Sequence, residues 1–391
     1  MKSRFMIMFC IVLGAMISIA AFNPIIGPLS RNLGLSEFQS GCLVAISGLC
    51  WLLGGYYWER KRFMPRKAML IMVMVVYLLT LLGFGWLADH ATAITSSTTG
   101  LFWIFFVLRT VAGFFYGGIP SLAQAYIMGW TTADTRTKGM ALFGAANGLG
   151  FVMGPALSGA MAPISLTAPM YTAAIFLLLM AILFGIWIPN MPYQETRTRT
   201  ASLSPNDSRI RLYLGIGLIL SVALNIVQVT IGFYIQDQLH YDASATMQLI
   251  GTGLALSGVM VVVSQVVISK FLRWSTTGQL YLGLSCVGIG LLGFVLFVDY
   301  AYVAFIILGV GIGFTMLGYS AGASLAVQDH EQGSVASYIA SLQGGGAFVG
   351  PLLGTMLYTT YIKLPYVLGI TLMGLSLLFV WRKRQVRQTA M

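Results

Sequence analysis

The sequence predicts an all-α membrane protein with 12 transmembrane helices in two pseudo-symmetric six-helix bundles. Three observations carry that prediction. Hydrophobic residues make up 58% of the 391 and charged residues only 8%, against about 25% charged in a soluble domain. Apolar runs of about 20 residues, the length a bilayer span needs, recur along the whole chain. The run Gly150-Phe-Val-Met-Gly154-Pro155 also returns as Gly346-Ala-Phe-Val-Gly350-Pro351, 196 positions later and about half the chain length away.

In order, the spans are expected to start near Phe5, Glu37, Lys67, Leu101, Lys138 and Leu166, then near Ile210, Ala243, Gly278, Ala301, Gly333 and Leu364. The first has Lys2 and Arg4 ahead of an apolar run, as a signal peptide would. Regularly spaced spans follow it, so it is read as an uncleaved helix. Asn190 to Ser208 is the one long connector, rich in Ser and Thr with Pro192 and Pro205. It is read as a flexible cytoplasmic linker. The division is therefore residues 1–189 as the N-terminal bundle, 190–209 as linker and 210–391 as the C-terminal bundle.

The net charge of +11 is distributed as membrane topology requires rather than as a nucleic-acid surface. With the N-terminus in the cytoplasm, the inside connectors and termini hold 19 Lys and Arg. The outside connectors hold two, Arg31 and Lys363, and Arg109 lies within a span. Both termini are thus expected in the cytoplasm of a multi-pass protein in the plasma (bacterial inner) membrane. Cys10, Cys42, Cys50 and Cys286 sit in apolar runs without metal-ligand spacing. His90, His240 and His330 are scattered in or beside connectors. No phosphate-loop sequence and no nucleophile–base arrangement is present, so no cofactor, metal or enzymatic activity is expected.

Span five carries Gly150-x-x-x-Gly154-Pro155-x-x-Ser158-Gly159. Pro155 removes a backbone donor, and glycines on one face let a neighbouring helix approach closely. Such a helix can act as a pivot or seal, as can its twin with Gly346, Gly350, Pro351 and Gly354. Span four carries Phe105-x-x-x-Arg109-x-x-Ala112-Gly113. An arginine at mid-bilayer costs at least about 2.5–3.5 kcal/mol on insertion scales, so Arg109 is expected to face a polar cavity or a partner. The connector after span two reads Gly55-Tyr-Tyr-Trp-Glu59-Arg60, followed by further basic residues.

These motifs, with the six-plus-six layout, resemble the major facilitator superfamily over essentially the whole chain, and within it the drug–proton antiporter type. Ser158 replaces a motif glycine, Ala112 a common glutamine, and Arg62 a glycine. The resemblance implies a secondary transporter with rocker-type alternating access and a substrate cavity at the bilayer midplane. It implies gating roles for Gly55, Glu59, Arg60, Gly113, Gly150, Gly154, Pro155, Gly346, Gly350 and Pro351. It also favours efflux, with protons as a candidate coupling ion.

All 11 Asp and Glu residues fall in or beside connectors, so the carboxylate that such antiporters place near this arginine is missing. Asn23 stands at a similar depth instead. The cavity is then expected to be net positive, with Arg109 binding an anionic or zwitterionic metabolite such as a carboxylate siderophore. Asn23, Tyr116, Asn147, Asn225, Gln228 and Gln343 are expected to line it, because polar residues at mid-membrane face the interior. Protons are then expected to be coupled through the substrate itself or through Asp237, near the outer end of span seven. A multidrug efflux pump for lipophilic drugs is the alternative, and a non-transporting receptor or assembly protein with this fold is the second alternative. The expected partners are a small-molecule substrate and the lipid bilayer, with the protein monomeric and no nucleic acid involved.

Overall fold

A chain this apolar must satisfy its backbone hydrogen bonds internally, and helices do so within each segment. The computed structural model describes residues 2–60, 63–94, 97–131, 133–161, 164–190, 203–271, 274–328 and 331–389. Twelve long helices account for most of them, and no strand occurs among the described residues. The first six are α1 (Lys2–Asn32), α2 (Glu37–Arg60), α3 (Arg66–Asp89), α4 (Thr98–Trp130), α5 (Ala133–Met161) and α6 (Ala168–Trp187). The second six are α7 (Arg211–Leu239), α8 (Ala243–Phe271), α9 (Thr276–Leu296), α10 (Ala301–Leu325), α11 (Gln332–Thr360) and α12 (Leu364–Thr389).

Ten of these helices are long and apolar enough to cross a membrane among the described residues. The other two, α5 and α11, carry the Gly–Pro runs, and both continue as helix through Pro155 and Pro351. Large side chains such as Trp86, Val107, Ile186, Leu296 and Phe379 stand exposed along the helices, as a surface solvated by lipid requires.

Contacts divide the chain into two compact units, Met1–Thr196 with Tyr241–Gly251, and Arg197–His240 with Thr252–Met391. In the first, α1 packs on α5 and α6, α2 on α4, and α3 on α4 and α6. In the second, α7 packs on α11 and α12, and α9 on α10 and α12. Of the connector read as a linker, residues 191–202 lie outside the described residues. Its end is folded onto the second unit: Leu203 is buried with Ile210, Leu214, Ala323 and Val335, and the Tyr338 hydroxyl donates to the Leu203 carbonyl.

Candidate functional site

The buried face of α4 presents Phe105, Arg109, Ala112, Gly113, Tyr116 and Gly117 at helical spacing. Its glycines bring α2 into backbone contact. A Cβ on Gly113 would lie 2.3 Å from the Ser47 carbonyl oxygen, and one on Gly117 2.3 Å from that of Trp51. From the α2 side, a Cβ on Gly54 would lie 2.0 Å from the Phe114 carbonyl oxygen, to which the Trp58 indole donates at 3.1 Å. Gly55, the glycine expected to gate, is less tight, an added Cβ lying 3.1 Å from Ser121 Oγ.

This close seam places Arg109. Its Nε donates to the Leu43 carbonyl of α2 at 3.3 Å. Its guanidinium carbon stacks 3.7 Å from the ring centroid of Phe22 on α1. Phe22 meets Phe84 edge-on at 5.1 Å, and Phe84 packs on Phe105 at 4.3 Å. The arginine is 3% exposed. Of the surroundings expected, a polar cavity or a partner, the structure encloses the guanidinium between three helices and gives it a ring face and a carbonyl. Tyr77 and Tyr116 continue the packing at 5.3 Å from one another. Ser18 Oγ lies 2.9 Å from the Tyr77 hydroxyl, and the Tyr116 hydroxyl points at Met16 Sδ at 3.6 Å.

Phe22, Ser18, Tyr77 and Phe84 carry no signal in the sequence. Helices in lipid are apolar all round, so periodicity does not reveal which aromatic points inward. Asn23 follows Phe22, the ring that Arg109 stacks on, in the chain.

The Gly–Pro helices pack as their glycines require. On α5, a Cβ at Gly150 would lie 2.6 Å from Met16 Cβ, and one at Gly154 2.6 Å from Ala20 Cβ, both on α1. Pro155 is buried. Ser158, standing at a motif glycine, donates to the Ala21 carbonyl of α1 at 2.6 Å. On α11, Gly346 faces Ser221, and a Cβ on Gly350 would lie 2.7 Å from Asn225 Cβ, both on α7. Pro351 is buried there as well.

The other expected cavity residues separate into two groups. Tyr116 and Gln228 are buried, at 1% and 5% exposure, whereas Asn23, Asn147, Asn225 and Gln343 are half-buried. Asn147 donates to Phe143 O and Asn225 to Ser221 O, each at 2.9 Å within its own helix. Asp237, at the end of α7, accepts from the Tyr358 hydroxyl of α11. Near the end of α3, Asp89 accepts from Tyr171 at 2.7 Å and from Thr167 at 2.8 Å. Glu59 is exposed, and Arg60 stacks on Tyr56 of its own helix at 3.7 Å. Glu59 forms no ion pair among the described residues, while Lys61 and Arg62 lie outside them.

The family model described as Major Facilitator Superfamily matches residues 8–351. The chain is 24% identical over 401 positions to the multidrug resistance protein 2 of Bacillus subtilis (strain 168), covering 98% of this chain and 96% of that protein. It is 28% identical to the class C tetracycline resistance protein of Escherichia coli, covering 71% and 72%. Among solved structures it is similar to a D-xylose–proton symporter, with a TM-score of 0.75, 16% identity and coverage of 97% and 98%. It is also similar to a nucleoside transporter, with a TM-score of 0.73, 13% identity and 97% of each chain covered. Those two likenesses show the fold alone.

Proposed function

Because this chain belongs to the Major Facilitator Superfamily, a family of transporters and not of enzymes, we propose that it exports small lipophilic organic compounds by alternating access. The observation that carries this reading is full-length similarity to a multidrug resistance protein. Similarity to a tetracycline resistance protein supports the same direction of transport. The placement of basic residues supports a plasma-membrane protein with both termini in the cytoplasm.

In this reading Arg109 is a tie that holds α1, α2 and α4 together and does not touch substrate. Its enclosure against Phe22 and the Leu43 carbonyl supports that role. An anionic or zwitterionic substrate such as a siderophore would need an accessible guanidinium, and a side chain 3% exposed lends it no support. Asn147, Asn225 and Gln343 are half-buried on α5, α7 and α11, each more accessible than Arg109. Gly150, Gly154, Gly346 and Gly350 form the sliding surfaces during gating. Protons are the proposed coupling ion, with Asp237 beside Tyr358 as the exchanging carboxylate.

Counterflow in proteoliposomes, with and without a pH gradient, tests the reading using a panel of lipophilic cations and organic anions. Accumulation of the lipophilic cations driven by the gradient is the expected result. Accumulation of anions alone would overturn it, and a folded protein that moves neither would return the receptor reading. Asp237→Asn is expected to abolish the gradient dependence while leaving counterflow intact.

A further inference from the structure

The second unit contains a groove of about 550 Å³ between the start of α7 and the second half of α12, lined by Ser208, Arg211, Gly215, Ile219, Ser376 and Phe379 among others. The two helices run antiparallel: Tyr366, at the start of α12, packs on Tyr234 in the last turns of α7 at 4.6 Å. The groove therefore lies at the basic end of the unit, with Arg211 at its mouth and Arg382 on the last turns of α12.

Two features mark the groove. Arg211 has no carboxylate partner among the described residues, although its neighbour Arg209 is held by Asp207 and Glu331 at 2.9 Å each. A Cβ on Gly215 would meet nothing within 4 Å, so the wall is left open at that position.

We propose that this groove binds an acidic phospholipid. The phosphate pairs with Arg211 and Ser208 at the mouth, and an acyl chain runs along Gly215, Ile216, Ile219 and Phe379. From Arg211 to Ile219 the floor is about 12 Å long and mostly apolar, which suits a lipid and not a free phosphate. A basic pocket between membrane helices at the positively charged end selects acidic headgroups. The site is independent of the export reading.

The test is lipid retention by native mass spectrometry, on protein reconstituted with equal amounts of phosphatidylglycerol and phosphatidylcholine. The wild-type protein is expected to retain phosphatidylglycerol over phosphatidylcholine by about fivefold. Arg211→Gln should bring that ratio close to one. Gly215→Leu fills the open wall with a good helix former and should displace both lipids. A wild-type ratio of one, or a ratio unchanged in both Arg211→Gln and Gly215→Leu, would overturn the proposal. Release of the lipid by millimolar inorganic phosphate would also overturn it, by making this a site for the free anion. Should Gly215→Leu fail to fold, Arg211→Gln, an exposed position, decides alone.

Discussion

In the first half, α4 meets α2 at Gly113, whose added Cβ would lie 2.3 Å from the Ser47 carbonyl oxygen. In the second half, α10 meets α8 at Gly309, where the corresponding distance to the Ser257 carbonyl is 2.2 Å. These glycines are 196 positions apart, the same offset that separates the two Gly–Pro runs. One turn before Gly113 stands Arg109, stacked on Phe22 and bonded to Leu43 O. One turn before Gly309 stands Phe305, fully buried, edge-on to Phe294 at 4.9 Å and pressed against Gly253. The backbone seams repeat, while the side chain at the matched place is a cation in one half and an aromatic ring in the other. A seam built from glycine and carbonyl contacts holds two helices together whatever fills the next turn. The filling is free to diverge.

The largest effects should come from the seam itself, and equally in both halves. Gly113→Ala and Gly309→Ala each force a methyl group into a carbonyl oxygen. Each should destabilise by about 3 kcal/mol or more, at the top of the overpacking range, read as a fall in melting temperature in detergent. A penalty in one half only would break the equivalence.

Next comes the divergent position. Arg109→Ala should destabilise by about 2–5 kcal/mol by leaving a cavity, while Arg109→Met, which keeps most of the volume, should be far milder. Arg109→Met and Phe22→Leu should be non-additive, with a coupling of about 1–2 kcal/mol from the desolvated cation–π stack. Simple additivity in that double-mutant cycle would dissolve the tie.

A smaller difference separates the Gly–Pro helices. Ser158 bonds to Ala21 O at 2.6 Å, whereas its counterpart Gly354 only approaches Ile226 Cα, at 3.3 Å for an added Cβ. Ser158→Gly should lower stability by about 1 kcal/mol, and Gly354→Ser should change it less.

The smallest effect belongs to the exposed clasp of Arg209 with Asp207 and Glu331. The Arg209 guanidinium holds the Asp207 carboxyl below its ordinary range. The clasp therefore contributes above that range and is lost as pH falls through the lowered pKa. Arg209→Ala should lower the melting temperature slightly at neutral pH and low salt, and not at all in acid or high salt.

Much of the fold was legible because a bilayer imposes length and polarity on every span. The expected starts at Glu37, Ala243, Ala301 and Leu364 coincide with helix starts, and Lys138, the furthest off, falls five residues inside α5. The Gly–Pro twins were legible because only small residues allow the backbone contact they make. The surroundings of Arg109 were not. An isolated arginine announces that it needs partners, but a ring face and a main-chain carbonyl are partners that no residue pattern encodes. The absent carboxylate suggested a net-positive cavity, and the ring face of Phe22 gives the cation a partner that carries no charge. Asn23, Tyr116 and Gln228 were chosen for polarity at mid-membrane, and such groups serve helix packing as readily as substrate.

The central claim is that Arg109 ties helices and does not meet substrate. The most direct measurement is the dissociation constant of a transported lipophilic cation for Arg109→Met, taken with the melting temperature of the same preparation. The tie predicts an affinity within about threefold of wild type and a coupling to Phe22 that appears in stability. Loss of affinity beyond about tenfold at an unchanged melting temperature would contradict it and place the guanidinium in the binding site.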